Sequence, residues 1–364
     1  MARIGIEART AANLGGIRTY ARGLISGLEA LDSEHEVIVF SGRGVPRGTL
    51  TRRFREVGLR TPSQHPLERL ALSGELVRHR LDVLHSLDYI PPYHGARRHV
   101  ITVHDLAFLR FPQFLTHNSR RFYNSQITGA VRRADHILTV SETTRADLIE
   151  LLGVDAGKIS IQVEGVDDDF RPLPAEFKEE TLRRIGLPSS YFLFVGTLEP
   201  RKNIPGLLEA YRLFRDQVAD PPSLVIVGRR GWLIADDLLE RPRSGVVWYG
   251  EMHRRDLPAA YALATALVMP SFYEGFGLPA LEAMACGTVP IVSRGSSLPE
   301  VVGDVGEQVD PHDHEAIAAT LVHVTRDVGW RNQHEQKALE RAALFTWERA
   351  ARTALRVYDD LARR

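Results

Sequence analysis

Short β-branched and aromatic runs alternate along this chain with longer amphipathic stretches, from the first residues to the last. The runs predict strands at Ile4–Ile6, Glu36–Phe40, Val83–His85, Val100–Val103, His136–Val140 and Ile159–Val163. A second series falls at Tyr191–Val195, Leu224–Val227, Val246–Tyr249, Ala266–Met269 and Val289–Val292. Helical spacing predicts Ile17–Leu31, Ser119–Arg133, Thr143–Leu152, Ile204–Val218, Arg255–Ala264 and Glu315–Asp327 between them, and a closing amphipathic helix over Trp347–Arg363. Apolar strands interleaved with helices imply parallel sheets covered on both faces, an α/β architecture of doubly wound, Rossmann-like domains.

A chain of 364 residues exceeds one ordinary core. The stretch Asp167–Leu187, with its Phe170-Arg-Pro-Leu-Pro174 connector, reads as the boundary. The expected division is 1–172, 173–345 and a closing helix over 346–364. In such sheets ligands bind beyond the carboxyl ends of the strands, so the two halves are expected to face a shared cleft.

Hydrophobic residues make up 44% and charged residues 25%, and the formal net charge is +0. That balance gives no global field to draw in nucleic acid. The one cysteine, Cys286, excludes an internal disulfide and fits a reducing compartment. The opening Met-Ala-Arg-Ile-Gly-Ile-Glu reads as a strand rather than a signal peptide, and no apolar run reaches the ~20 residues of a membrane span. Cytoplasmic placement follows as the expectation, with the inner membrane face as an extension of it.

Candidate chemistry gathers at predicted strand ends. Gly15-Gly16 follows the first strand and precedes a helix, where backbone amides can face an anion. The spacing is not Gly-x-Gly-x-x-Gly, which leaves a nicotinamide-binding fingerprint missing. His104, in Thr102-Val-His-Asp-Leu106, ends a strand where an imidazole can meet a sugar hydroxyl or a phosphate. Gly196-Thr-Leu-Glu-Pro-Arg-Lys-Asn203 sets Arg201 and Lys202 side by side before a helix, against its dipole. A bound diphosphate would account for that placement. Ser223–Trp232 and Val246–Met252 are further strand-to-loop transitions able to frame a base. Glu274 and Glu282 flank Gly275-Phe-Gly-Leu-Pro279, with Glu274 on a strand-end loop and Glu282 in the first turn or so of the next helix. Their spacing alone suggests acid–base chemistry. The glycine loop and helix start suggest instead two carboxylates gripping neutral hydroxyls on either side of phosphates.

In this order, Gly15-Gly16, the His104 strand end, Val140-Ser141-Glu142, Gly196-x-x-x-Pro-Arg-Lys-Asn203, Glu274-x7-Glu282 and the closing helix resemble the retaining glycosyltransferases of the GT-B fold, family four. The resemblance covers nearly the whole chain and leans toward mannosyltransferase-like enzymes of bacterial surface-polysaccharide (lipopolysaccharide) assembly. It implies a nucleotide-sugar donor, GDP-mannose first and UDP-sugars open, and a glycan or lipid-diphosphate-linked acceptor. Arg201 and Lys202 would hold the donor diphosphate, with Gly196 in their loop. Glu282 would take the ribose hydroxyls and Glu274 the transferred sugar. Amides of Gly275, Phe276, Gly277 and Leu278 would add sugar and phosphate contacts. His104 would touch the donor sugar, Gly16 would let its loop approach phosphates and acceptor, and the closing helix would return to the first domain. Transfer would retain the anomeric configuration and need neither metal nor cofactor, because Arg201, Lys202 and helix-start amides would stabilise the leaving diphosphate; consistently, no Asp-x-Asp motif adjoins these loops (Asp167-Asp168-Asp169 lies near the connector). A nucleotide-sugar 2-epimerase shares the fold, and a non-catalytic nucleotide-sugar-binding partner would share the residues.

Residues 42–80 carry nine arginines (43, 47, 52, 53, 55, 60, 69, 78 and 80) against Glu56, Glu68 and Glu75, a local +6 with Phe54, Val57 and Leu59 interleaved. Two readings stand: a solvated arginine-rich face, or peripheral contact with anionic lipid.

Overall fold

Among the described residues, the strand-forming runs pair with one another in parallel. In the computed structural model, seven strands form one sheet: β1 (Arg3–Glu7), β2 (Glu36–Ser41), β3 (Arg55–Gly58), β4 (Leu81–Ser86), β5 (Ala96–Val103), β6 (His136–Thr139) and β7 (Ile159–Ile161), in the order β3-β2-β1-β4-β5-β6-β7. Six form another: β8 (Tyr191–Val195), β9 (Ser223–Val227), β10 (Val246–Gly250), β11 (Ala266–Met269), β12 (Pro290–Ser293) and β13 (Glu307–Val309), in the order β10-β9-β8-β11-β12-β13. Residues 1–12, 15–43, 45–46, 48–62, 67–233 and 243–364 are described.

Contacts divide the chain into two units. One comprises Met1–Arg110, His117–Gly165 and Phe345–Arg364; the other Phe111–Thr116 and Val166–Leu344. Every residue of β11 and β12 is buried, as are Tyr191, Phe192, Leu193 and Phe194 of β8, so these central strands read as continuous apolar runs. The sequence pattern missed β3 and β13. Both are edge strands, and their charged and polar residues (Arg55-Glu56, Glu307-Gln308) break the apolar signal.

Helix ends follow the expected chemistry. Ser141 caps Glu142–Leu152 by accepting from the Thr144 amide at 3.1 Å, and Gly153 ends that helix in the left-handed region. Thr346 caps Trp347–Arg363 through the Arg349 amide. That closing helix packs on the first unit's own opening helix, Gly16–Ala30. Glycine makes the approach possible: a Cβ at Gly23 would lie 2.0 Å from the Trp347 ring, and one at Gly165 2.3 Å from its amide.

Both sheets reverse their order once, between β1 and β4 and between β8 and β11. The loops leaving those strands are where a doubly wound sheet offers a binding site.

Candidate functional site

In the second unit, the loops after β8 and β11 meet. Pro200–Lys202 forms a single 3-10 turn, and Asn203 follows in the left-handed region at φ 55°. The Asn203 side chain is buried and donates to the carbonyls of Pro270 (3.1 Å) and Pro311 (2.7 Å). The amide of Phe272 donates to the Arg201 carbonyl at 2.9 Å. These bonds fix the cationic turn against the loop that carries Glu274.

Glu274 is 5% exposed and its two oxygens are divided between the two cations. Lys202 Nζ lies 2.6 Å from Oε1, and Arg201 Nη1 lies 2.7 Å from Oε2. Arg201 also donates to Glu199 Oε1 at 2.6 Å and to the Tyr273 carbonyl at 2.7 Å. Burial alone would raise the Glu274 carboxyl; the charges of Arg201 and Lys202 outweigh it and bring it down to about 2. The adjacent cations therefore do not stand unexplained at a helix start. Two carboxylates balance two cations within the protein, so the placement by itself does not require a diphosphate. Glu199, two residues before Arg201, is the group that sequence reading passed over.

The Glu274 backbone is held as firmly. Its amide donates to Ser296 Oγ at 3.0 Å, and Ser297 Oγ donates to the carbonyls of Glu274 (2.9 Å) and Phe276 (2.8 Å). Gly277 adopts φ 109° just before the helix Leu278–Ala285, where a Cβ would meet Leu298 at 2.5 Å. Gly275, Phe276, Gly277 and Leu278 thus form the turn into that helix. Glu282 is its fifth residue, past the first turn, and is buried. Its Oε2 accepts from Tyr261 Oη at 2.8 Å. Burial, then the Glu282 charge, holds the Tyr261 phenol well above its ordinary value, so it stays a donor. Nothing in the local sequence marks Tyr261, which comes from the helix before β11. Gly196 begins the β8 loop, and a Cβ at Gly228 would lie 1.9 Å from the Gly196 carbonyl, so the β8 and β9 loops touch backbone to backbone.

In the first unit, Gly15 takes φ 105° directly before the helix that begins at Gly16, and both are exposed. His104 follows β5. Its Nε2 lies 3.0 Å from the Leu87 carbonyl and its Nδ1 3.6 Å from Glu164 Oε1. Burial lowers its pKa, but Glu164 and the Leu87 carbonyl overcome that, so the net direction is up. Nε2 is thus hydrogen-bonded within the protein, and Nδ1 lies at ion-pair distance from Glu164.

Tyr20 stands edge-on to His104 at 4.7 Å and bonds to Thr102 Oγ1 (2.8 Å) and Gln162 Oε1. Thr102 also bonds His85 Nε2 at 2.8 Å, whose Nδ1 bonds Tyr358 Oη at 2.6 Å; Gln162 Nε2 donates to the Ala350 carbonyl at 2.8 Å. Burial, then the His104 charge, pushes His85 down to about 3, leaving it neutral. The closing helix supplies both ends of this ring of bonds.

The arginine-rich stretch also resolves. Arg69 is buried, donating to the Pro91 carbonyl at 2.9 Å, and Leu59 is buried, so neither belongs to an outer face. Arg43, Arg52, Arg53, Arg55, Arg60, Arg78 and Arg80 are exposed, and Arg47 lies outside the described residues. The exposed apolar side chains are Leu67, Leu70 and Val77 rather than Phe54, Val57 and Leu59. No described helix is long and apolar enough to cross a membrane, and no three described His, Cys, Asp or Glu side chains gather as a metal site. Asp167, near the connector, pairs with Arg254.

The pattern described as Glycosyl transferases group 1 matches residues 178–341, and that described as Glycosyltransferase Family 4 matches residues 14–170. The chain is 38% identical to the O-antigen chain mannosyltransferase B of Escherichia coli, over 74% of this chain and 72% of that protein. It is 29% identical to the E. coli serotype-specific mannosyltransferase WbdA over 67% of its own length, but spans only 31% of WbdA. Among solved structures, Anabaena Alr3699/HepE in complex with UDP and glucose superposes with a TM-score of 0.77 at 16% identity, covering 99% of this chain and 100% of that one.

Proposed function

The chain belongs to glycosyltransferase family 4, among the group 1 glycosyltransferases, and from that premise we propose that it transfers mannose from GDP-mannose to a glycan or lipid-diphosphate-linked acceptor in surface-polysaccharide assembly. The mannosyl assignment draws on the O-antigen mannosyltransferase it resembles at 38% identity. A nucleotide-sugar donor is supported by the related fold that carries UDP and glucose.

The observation that carries the reading is the Arg201–Lys202–Glu274–Glu199 cluster at the carboxyl ends of β8 and β11, where the strand order reverses. Lys202 has three N–H donors, so one bond to Glu274 leaves others for a phosphate oxygen. Arg201 and Lys202 offer fixed N–H donors to a departing diphosphate, and Glu199 and Glu274 hold these cations in place between turnovers while balancing their charge. Preorganised charge of this kind stabilises a leaving group without reorganisation at the moment of reaction. Glu274 contacts the transferred sugar, and Glu282, oriented by Tyr261, accepts from the ribose hydroxyls. The amides of Gly275–Leu278 add to this clamp, Gly196 lets the β8 loop lie close, and Gly15-Gly16 leaves the β1 loop open to a substrate hydroxyl or anion. His104 stands at the β5 end with its pKa raised by Glu164, placed to contact a sugar.

The acceptor attacks on the face from which the diphosphate leaves, so the product retains the donor's anomeric configuration, and no metal or cofactor takes part. GDP-mannose should raise the melting temperature more than UDP-glucose at equal concentration. The NMR spectrum of the product should show the donor's anomeric configuration, and chelator should leave the rate unaltered. An inverted product overturns the mechanism, and a larger shift with UDP-glucose overturns the donor.

The exposed Leu67, Leu70 and Val77 beside Arg78 and Arg80 favour peripheral contact with anionic lipid at the inner membrane face. Co-sedimentation with anionic but not neutral vesicles, weakened by salt, is the expected result.

A further inference from the structure

The first unit carries a carboxylate at its own strand-order reversal that no role above uses. Asp88 lies two residues past β4, the strand next to β1 where the order turns. Its Oδ1 accepts from the Tyr89 amide at 2.7 Å, and among the described residues no other group donates to this carboxylate. It is only half-buried, so its remaining lone pairs are open to a ligand. An ionised carboxylate accepts hydrogen bonds and donates none. Behind it, Tyr89 stacks on Phe108 at 5.8 Å with Tyr123 edge-on, a rigid aromatic wall.

His104 is the obvious competitor for a ligand hydroxyl at this edge, but both its nitrogens already face protein acceptors. An imidazole has two nitrogens; here one faces the Leu87 carbonyl at 3.0 Å and the other Glu164 at 3.6 Å. Glu164 is buried, and the His104 side chain is 17% exposed. We infer that Asp88, rather than His104, takes the hydrogen bond from a hydroxyl of the acceptor sugar, and that Glu164 is the positioning residue that keeps His104 turned inward.

The surroundings fit a neutral hydroxyl better than a cation. Facing Asp88 are the His104 ring, already charge-matched by Glu164, and Glu7 and Arg9 of the β1 loop. Arg9 is spoken for by Glu7 at 2.8 Å and Glu68 at 2.6 Å. His85 lies beyond His104 and is neutral, and Asp105 and Tyr20 complete the ring of titratable groups near the pair. Burial pushes the Asp88 carboxyl up and the His104 charge opposes it. A hydroxyl donor satisfies such a group without adding charge, and a glycosyl acceptor presents one by definition. The inference rests on the reading that the donor is held by the second unit.

The test uses the full chain, GDP-mannose, and methyl α-mannoside together with its monodeoxy analogues as acceptors. Asp88→Asn should raise the acceptor KM about ten- to hundredfold, the size of a lost hydrogen bond to a charged group. The melting shift induced by GDP-mannose should persist. With the unsubstituted protein, one monodeoxy acceptor should show the same rise, and Asp88→Asn should add nothing further with that analogue. Glu164→Gln should lower the His104 pKa seen by NMR and introduce a fall in kcat as pH rises, which Glu164→Asp restores in part. An unaltered acceptor KM in Asp88→Asn with an intact donor-induced shift overturns the assignment and leaves the donor reading standing. Loss of the donor-induced shift also overturns it, by moving Asp88 to the donor.

Discussion

The two strand-order reversals solve one problem, holding polar side chains at a sheet edge, in opposite ways. At β8 and β11 the groups come from two short segments, Glu199–Lys202 and Glu274, and they pair with each other directly at 2.6–2.7 Å. At β1, β4 and β5 they come from segments far apart in sequence, and His104 is held through Leu87, Glu164, Tyr20 and a chain of bonds ending on the closing helix. The first arrangement is an electrostatic cluster that carries its own balance of charge. The second is a relay whose geometry depends on a helix at the far end of the chain. A self-contained cluster is sensitive to charge, and a relay is sensitive to packing.

The sharpest way to break that contrast is to attack the relay where it is packed. Trp347→Ala removes the indole against which Gly23 packs and should cost ~3–5 kcal/mol in denaturant unfolding. The donor-induced melting shift, which depends on the second unit, should survive at temperatures where the variant is folded. If that shift disappears, the two edges are not independent. Next in size, Lys202→Met takes one cation from a buried, balanced cluster. The rate with GDP-mannose should fall about 100- to 1000-fold, as when a preorganised charge donor is lost. A fall of less than tenfold would mean Arg201 alone carries the leaving group.

Acid tests the charge dependence of the cluster directly. Glu274 is held down to about 2, below an ordinary carboxyl, by Arg201 and Lys202 against the opposing effect of burial. A depressed carboxyl contributes stability that is present above its unfolded pKa and is lost as pH falls through the folded value. For Glu274 the window is from about 4.5 down to about 2, and the contribution is roughly 3 kcal/mol. Glu274→Gln should flatten the stability–pH curve across that window; an unaltered curve would assign the acid sensitivity elsewhere. The smallest effect belongs to Tyr261→Phe. Loss of the 2.8 Å bond to Glu282 should weaken GDP-mannose binding by about tenfold without altering kcat, measured by donor titration.

Legibility followed the same divide. Central strands could be read from the chain because both their faces are buried; β3 and β13 could not, because charged edges break the pattern. Arg201, Lys202 and Glu274 were visible as motifs because glycine, proline and charge crowd within a few residues of a strand end. Their mutual pairing was not visible, since the partners lie 72 and 73 residues apart, and by itself the Arg-Lys doublet points to a phosphate. Tyr261 and Glu164 had no local signal, because what matters about each is a partner elsewhere in the fold.

The sequence alone determined two parallel α/β units, their strand-end chemistry and the family to which the chain belongs, because side-chain periodicity and loop composition are local properties. Tertiary structure decided that Arg201 and Lys202 are charge-balanced by Glu199 and Glu274, that both His104 nitrogens face protein acceptors, and that Asp88 keeps lone pairs to offer. A hydrogen bond is made by distance and direction between atoms, and only the folded chain brings residues such as 104 and 164, or 202 and 274, within reach of one another.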